Sequence, residues 1–120
     1  MPDTTNYIEY VEKTYPDTCV AFKELQRQDY ELFCKKQFDY GPHNISLGSN
    51  LEKPEDVRAS LCGITFRLND KVQRLLNLVV KKGAIDGSAN EPVMDSFQDI
   101  TNFGIIARIV KAGEWCKWYG

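Results

Sequence analysis

The stretch PEDVRASLCGITFRLNDKVQRLLNLVVKKG, residues 54–83, decides the fold class. Val57, Leu61, Ile64, Leu68, Val72, Leu75 and Val79 recur in it at three- and four-residue intervals, the period of one helix face. Pro54 suits a first helical turn, Glu55 and Asp56 complement the helix dipole there, and Gly83 supplies a stop. On the N-terminal side a second long helix is expected from about Asp17 to Phe38, with Phe22, Leu25, Leu32 and Phe33 at helical spacing and Gly41-Pro42 ending it. Before it a short amphipathic piece, Asn6 to Thr14, stops at Tyr15-Pro16. On the C-terminal side Asn90 is the expected N-cap of a third long helix. It carries Phe97, Ile100, Phe103, Ile106, Ala107 and Val110 and ends around Lys111 to Gly113. Strand-like runs are too few for a sheet. The expected fold is all-α, a compact antiparallel bundle of three long helices plus a short N-terminal helix, forming a single domain over residues 1–120.

Composition bounds the function classes. The chain is 42% hydrophobic and 27% charged, enough for both a core and a polar surface. Its net charge of -2 argues against global coating of a nucleic acid, so an anionic ligand needs a local basic cluster. No apolar run approaches the ~18–20 residues of a membrane span, and the N-terminus lacks signal-peptide character, so a cytoplasmic protein without membrane contact is expected. Cys19, Cys34, Cys62 and Cys116 are scattered and His43 is the sole histidine, which favours free thiols over a zinc site. A short helical chain with a limited core is also expected to homo-oligomerise.

Chemistry is best sought where charge lies on faces that periodicity assigns to the core. Asp29 falls on the Phe22 stripe, with Lys36 seven residues further on. Arg67, Lys71 and Arg74 form one cationic row beside the apolar stripe of residues 57–79, with Asp70 just beyond. Asp95 and Asp99 are a turn apart on the third helix. The plain structural alternative is that Asp29, Asp70 and Asp99 pair with Arg67, Lys71 or Arg74. Taken together, the set describes an acidic and basic pocket suited to phosphate, held by cations or through a metal on carboxylates. A long connection, Asp39 to Asn50, offers Tyr40 and His43 for stacking, Asn44 and Ser46 for hydrogen bonding, and Gly41 and Gly48 for close backbone approach. Its structural alternative is a surface loop anchored by Tyr40 and Ile45.

The blocks Lys36-Gln-Phe-Asp-Tyr-Gly41, Arg67-Leu-Asn-Asp-Lys-Val-Gln-Arg-Leu75 and Asp95-Ser-Phe-Gln-Asp99 resemble the nucleotide modification associated domain 1 family, common in bacteriophages. The resemblance runs from about Tyr15 to Trp115 and implies a helical protein tied to nucleotide metabolism or modification, acting in the host cytoplasm if phage-encoded. Its motif residues fall on Lys36, Asp39, Tyr40, Gly41, Arg67, Asp70, Lys71, Arg74 and Asp99. The chain departs from the all-α nucleotide pyrophosphohydrolases, having neither E-E-x-x-E nor E-x-x-D.

The expected ligand is a nucleotide or nucleotide-derived small molecule held by Lys36, Asp39, Tyr40, Gly41, Asn44, Arg67, Lys71 and Arg74, with Arg67 and Arg74 dispensable for folding. Three alternatives stand beside it. One is a phosphoanhydride hydrolase using Mg2+ or Mn2+ on Asp70, Asp95 and Asp99. Another is a non-catalytic sponge for a cyclic-nucleotide signal. The third is a protein-binding bundle whose partner surface is the aromatic tail Trp115, Trp118 and Tyr119.

Overall fold

The structure, a computed structural model, describes residues 4–115. Trp118, Tyr119 and Cys116 lie outside the described residues. The described chain is all-α, with helices α1 (Thr4–Thr14), α2 (Pro16–Tyr40), α3 (His43–Ser46), α4 (Pro54–Leu75) and α5 (Asn90–Lys111). A π-helical segment, Leu76–Lys81, continues α4, and a 3-10 turn, Gly87–Ala89, leads into α5. No helix among the described residues is long and apolar enough to cross a membrane.

Pro16 and Pro54 open α2 and α4 in their first turns, as their fixed φ and missing N–H favour. Asn90 is no cap: it already has helical torsions as the first residue of α5, and no side chain caps that end. The 3-10 turn before it supplies the entry instead, with the Ala89 amide bonded to the Asp86 carbonyl at 3.2 Å. The connection after α2 is likewise shorter than its sequence suggests, because α3 folds inside it. Gly41 ends α2 at φ 68, a torsion that costs a residue with a side chain far more, and its amide donates to the Gln37 carbonyl at 2.9 Å.

The core lies mainly between α4 and α5, the most extensively packed pair of helices. Ile45, Ile64, Ile106, Val110 and Trp115 are buried together, with Phe33, Leu61, Leu68 and Phe103 packed around them. Along α5 the buried row is Val93, Ser96, Ile106 and Val110, whereas Phe97, expected on it, is exposed. The larger departure is α2. It rests on α5 and α1 but buries none of its residues, and Phe22 and Leu25 of the expected core stripe are 63% and 56% exposed. Periodicity identified the apolar face correctly; within one chain that face finds too little to pack against.

Candidate functional site

Three polar clamps hold the segment after α2. Ser60 on α4 donates its hydroxyl to the Ile45 carbonyl at 2.7 Å, and Arg67, two turns along the same helix, donates to the Asn44 carbonyl at 2.9 Å. From beyond the end of α5, the Trp115 indole N–H donates to the Pro42 carbonyl at 3.1 Å. The first two bonds satisfy carbonyls that the one-turn helix leaves without partners, and the third adds to the Pro42 carbonyl, which already accepts from the Ile45 and Ser46 amides. Ile45 and Ser46 are buried beneath them, while Tyr40 stays exposed. Ile45 is therefore an anchor, and Tyr40 remains available beside the clamped segment. Leu47, at the end of α3, is held at φ 57 in the left-handed region, a strained torsion for a side-chain-bearing residue.

Against this fixed segment, α2, α4 and α5 enclose a cleft of about 360 Å³. Lys36, Arg67, Lys71 and Asp99 supply its charge, and Phe33, Tyr40, Phe103 and Trp115 its aromatic walls. Asp99 joins the three helices: Oδ1 accepts from Lys36 Nζ and Oδ2 from Lys71 Nζ, both at 3.0 Å. The Asp99 and Lys71 side chains are 14% and 24% exposed, against 47% for Lys36, so the arrangement is sheltered at the α4–α5 side and open at α2. Arg67 lies over the Phe103 ring, 5.9 Å from its centroid. Three cations against one carboxylate leave the cleft cationic in a chain of net charge -2. The Asn44 Oδ1 atom is buried at the cleft with no hydrogen-bond partner, an acceptor left unsatisfied by the protein itself.

The expected site residues thus divide. Lys36, Tyr40, Asn44, Arg67 and Lys71 meet in the cleft, with Asp99 among them. Asp39 turns away to Lys35 at 3.1 Å, Gly41 shapes the end of α2, and Arg74 is exposed and does not line the cleft. Asp29 accepts an Asn102 side-chain bond through its backbone carbonyl, at 3.1 Å, and is in no ion pair among the described residues. Of the ion pairs weighed from sequence, Asp99 with Lys71 is formed. Arg67 lines the cleft and also tethers the Asn44 carbonyl, so it has a structural contact beside its place in the site. Trp115 is buried core, which removes it from an exposed partner surface.

Asp70, Asp95 and Asp99 do not assemble into one donor set. Asp70 and Asp95 are exposed and outside the cleft, and no group of three or more His, Cys, Asp or Glu suited to a metal occurs among the described residues. Residues missed in the sequence include Phe33, Asn102, Phe103 and Trp115 on the walls and Ser60 behind them. Ser60 carried a readable signal, a polar residue on the Val57–Leu61–Ile64 face of α4.

Burial alone pushes the Asp99 carboxyl up, but hydrogen bonds and charge from Lys36 and Lys71 outweigh it and hold the group below the ordinary aspartate value. A folded-state pKa below the unfolded one stabilises the protein fully above the unfolded value of about 3.9, and the gain is lost as pH falls through the folded value. Melting temperature measured downward from about pH 6 is therefore expected to fall more steeply below about pH 4 in the wild type than in Asp99→Asn. Parallel curves would show that the carboxylate contributes nothing to folding.

No family model matches the chain, and no curated protein or solved structure matches it.

Proposed function

We propose that the protein binds a nucleotide or nucleotide-derived small molecule in the cleft framed by its three long helices, arranged as an antiparallel bundle. The observation that carries this reading is the cationic cluster of Lys36, Lys71 and Arg67 around a single carboxylate, beside exposed Tyr40. Asp99 holds two ammonium groups in place without neutralising the cleft, and each ammonium has three donors, so donors remain for phosphate oxygens. Tyr40 offers a ring for a base, and Asn44 Oδ1 an acceptor for an amino or hydroxyl group. A volume near 360 Å³ is at the lower end of small-molecule sites and suits a mononucleotide better than a polymer. The resemblance in the Lys36–Gly41, Arg67–Leu75 and Asp95–Asp99 blocks argues for a nucleotide over other phosphate-bearing molecules, and for a protein working in the cytoplasm of a phage-infected host.

Binding without turnover is favoured over hydrolysis by the state of Asp99. The cleft's carboxylate is engaged by two lysines, an arrangement that orients cations rather than one that activates water. The test is a titration with nucleoside mono-, di- and triphosphates, with and without Mg2+, followed by denaturation of the saturated protein and identification of what is released. Saturable binding with the nucleotide returned unchanged is the expected result. A converted product would replace sequestration by catalysis, and no binding by any member of the panel would remove the nucleotide reading.

A further inference from the structure

The apolar strip of α2 is one side of a helix that buries none of its residues. Around the other side Glu24, Arg27 and Glu31 pair with one another, and Lys35 pairs with Asp39, all within the helix. Arg27 holds the Glu24 carboxyl at about 2. The charges on that side are satisfied within the helix, and Val20 and Phe38 are exposed among them near its two ends. The opposite side is one continuous strip: its C-terminal half presents Phe33, Lys36 and Tyr40 to the ligand cleft, and its N-terminal half presents Phe22, Leu25 and Asp29 to a groove against α5. The groove measures about 600 Å³, is floored by Ile105 and Ile109, and shares Phe33, Asn102 and Ile106 with the ligand cleft.

The size of the uncovered surface says what kind of occupant is missing. The chain exposes 9212 Å², whereas a compact protein of its mass exposes about 6600 Å². Its radius of gyration is 17.4 Å, against about 13.6 Å for a compact chain of this length. The excess of about 2600 Å², to which exposed Tyr7, Ile8 and Tyr10 of α1 also contribute, is far above the ~800 Å² per partner of a standard interface and leaves room for the ~1000–2500 Å² per partner of an obligate one. A helix that buries none of its residues gains little from folding alone, so its cover must be present whenever the chain folds. A second copy meets that condition. An apolar face with Asp29 as its one carboxylate also suits a two-fold contact, in which each residue meets its own strip and strongly charged faces would repel.

We propose that the α2–α5 groove is covered by α2 of a second copy of this chain, related by a two-fold axis, and that the second copy walls off the end of the ligand cleft next to Phe33. The pairing stands without the ligand reading; only the closure of the cleft rests on it. Light scattering of the full-length protein is expected to give at least twice 13.8 kDa at micromolar concentration. A photo-crosslinking amino acid at Gln26, on the groove, is expected to join α2 to residues of α2 or α5 in the other copy. Leu25→Glu is expected to shift the assembly towards the monomer, whereas Glu31→Lys, on the opposite side, leaves it unchanged. A wild-type monomer, crosslinks between copies confined to other segments, or an assembly indifferent to Leu25→Glu would overturn the proposal. Because the crosslinking protein keeps Leu25, the outcome stays decisive even where Leu25→Glu fails to fold. Nucleotide binding is not read in any of these measurements, so a dimer without a ligand and a ligand-binding monomer are separate results.

Discussion

Trp115→Ala is expected to destabilise the protein by about 3–5 kcal/mol, the range for truncating a large buried aromatic. Trp115 is 6% exposed, packs edge-on against Phe33 with ring centroids 6.1 Å apart, and donates to the Pro42 carbonyl. One side chain therefore joins the end of α5 to α2 and to the segment carrying Asn44. The truncation leaves a cavity at the Ile64–Ile106–Val110 core and removes the indole donor from the Pro42 carbonyl, which keeps its bonds from the Ile45 and Ser46 amides. A fall in melting temperature on the order of 10–20 °C should be seen by circular dichroism. Trp115→Phe separates the contributions: it restores much of the packing and loses the hydrogen bond, and is expected to cost about 1–2 kcal/mol. Equal losses in the two variants would show that the indole N–H, not ring burial, is what matters.

The second large effect falls on binding. Lys36→Gln and Lys71→Gln are each expected to weaken nucleotide affinity by about 10–100-fold, the worth of a charge-assisted hydrogen bond to phosphate. Each single variant leaves Asp99 one lysine partner, so no carboxylate is stranded. Lys36 is half-exposed, and its removal is expected to change stability by less than about 1 kcal/mol. Lys71 is more sheltered and its loss should cost somewhat more. Arg74→Gln is the control: it lies outside the cleft, and affinity should stay within about twofold. Calorimetric titration of one nucleoside triphosphate into all four proteins checks the set. An Arg74 effect as large as that of Lys71 would move the phosphate site out of the cleft.

Much of this geometry was legible in the sequence, and the rest fails for identifiable reasons. The face of α4 was found because its apolar residues keep a helical period over many turns. Lys36, Lys71 and Asp99 were found by one argument, that charge on a core-facing row must be held by something, and all three converge. Periodicity cannot say what lies opposite a face. It gave Phe22 and Leu25 the same standing as Ile64, although the single chain covers Ile64 and leaves the other two open. It also ranked Arg67, Lys71 and Arg74 alike as one row, whereas position along the helix separates them: Lys71 meets Asp99, Arg67 reaches the Asn44 carbonyl, and Arg74, two turns beyond Arg67 on nearly the same face, is exposed and does not line the cleft. The contacts least visible in advance span long stretches of chain. Trp115 to Pro42 and Asn102 to Asp29 each bridge 73 residues, and no local pattern encodes them. Ser60 is different, because the rule that singled out Asp99 applies equally to a serine on an apolar stripe.

The central claim is that a phosphate-bearing nucleotide sits between α2, α4 and α5. Amide-resolved nuclear magnetic resonance of the isotopically labelled protein, titrated with a nucleoside triphosphate, tests it most directly. The account predicts saturable shifts in the Trp115 indole N–H and in the backbone amides of Lys36, Tyr40, Asn44, Lys71 and Asp99, with the amides around Arg74 and Lys111 unmoved. A titration that leaves the indole and those amides in place, or moves only the signals near Arg74 and Lys111, would contradict it.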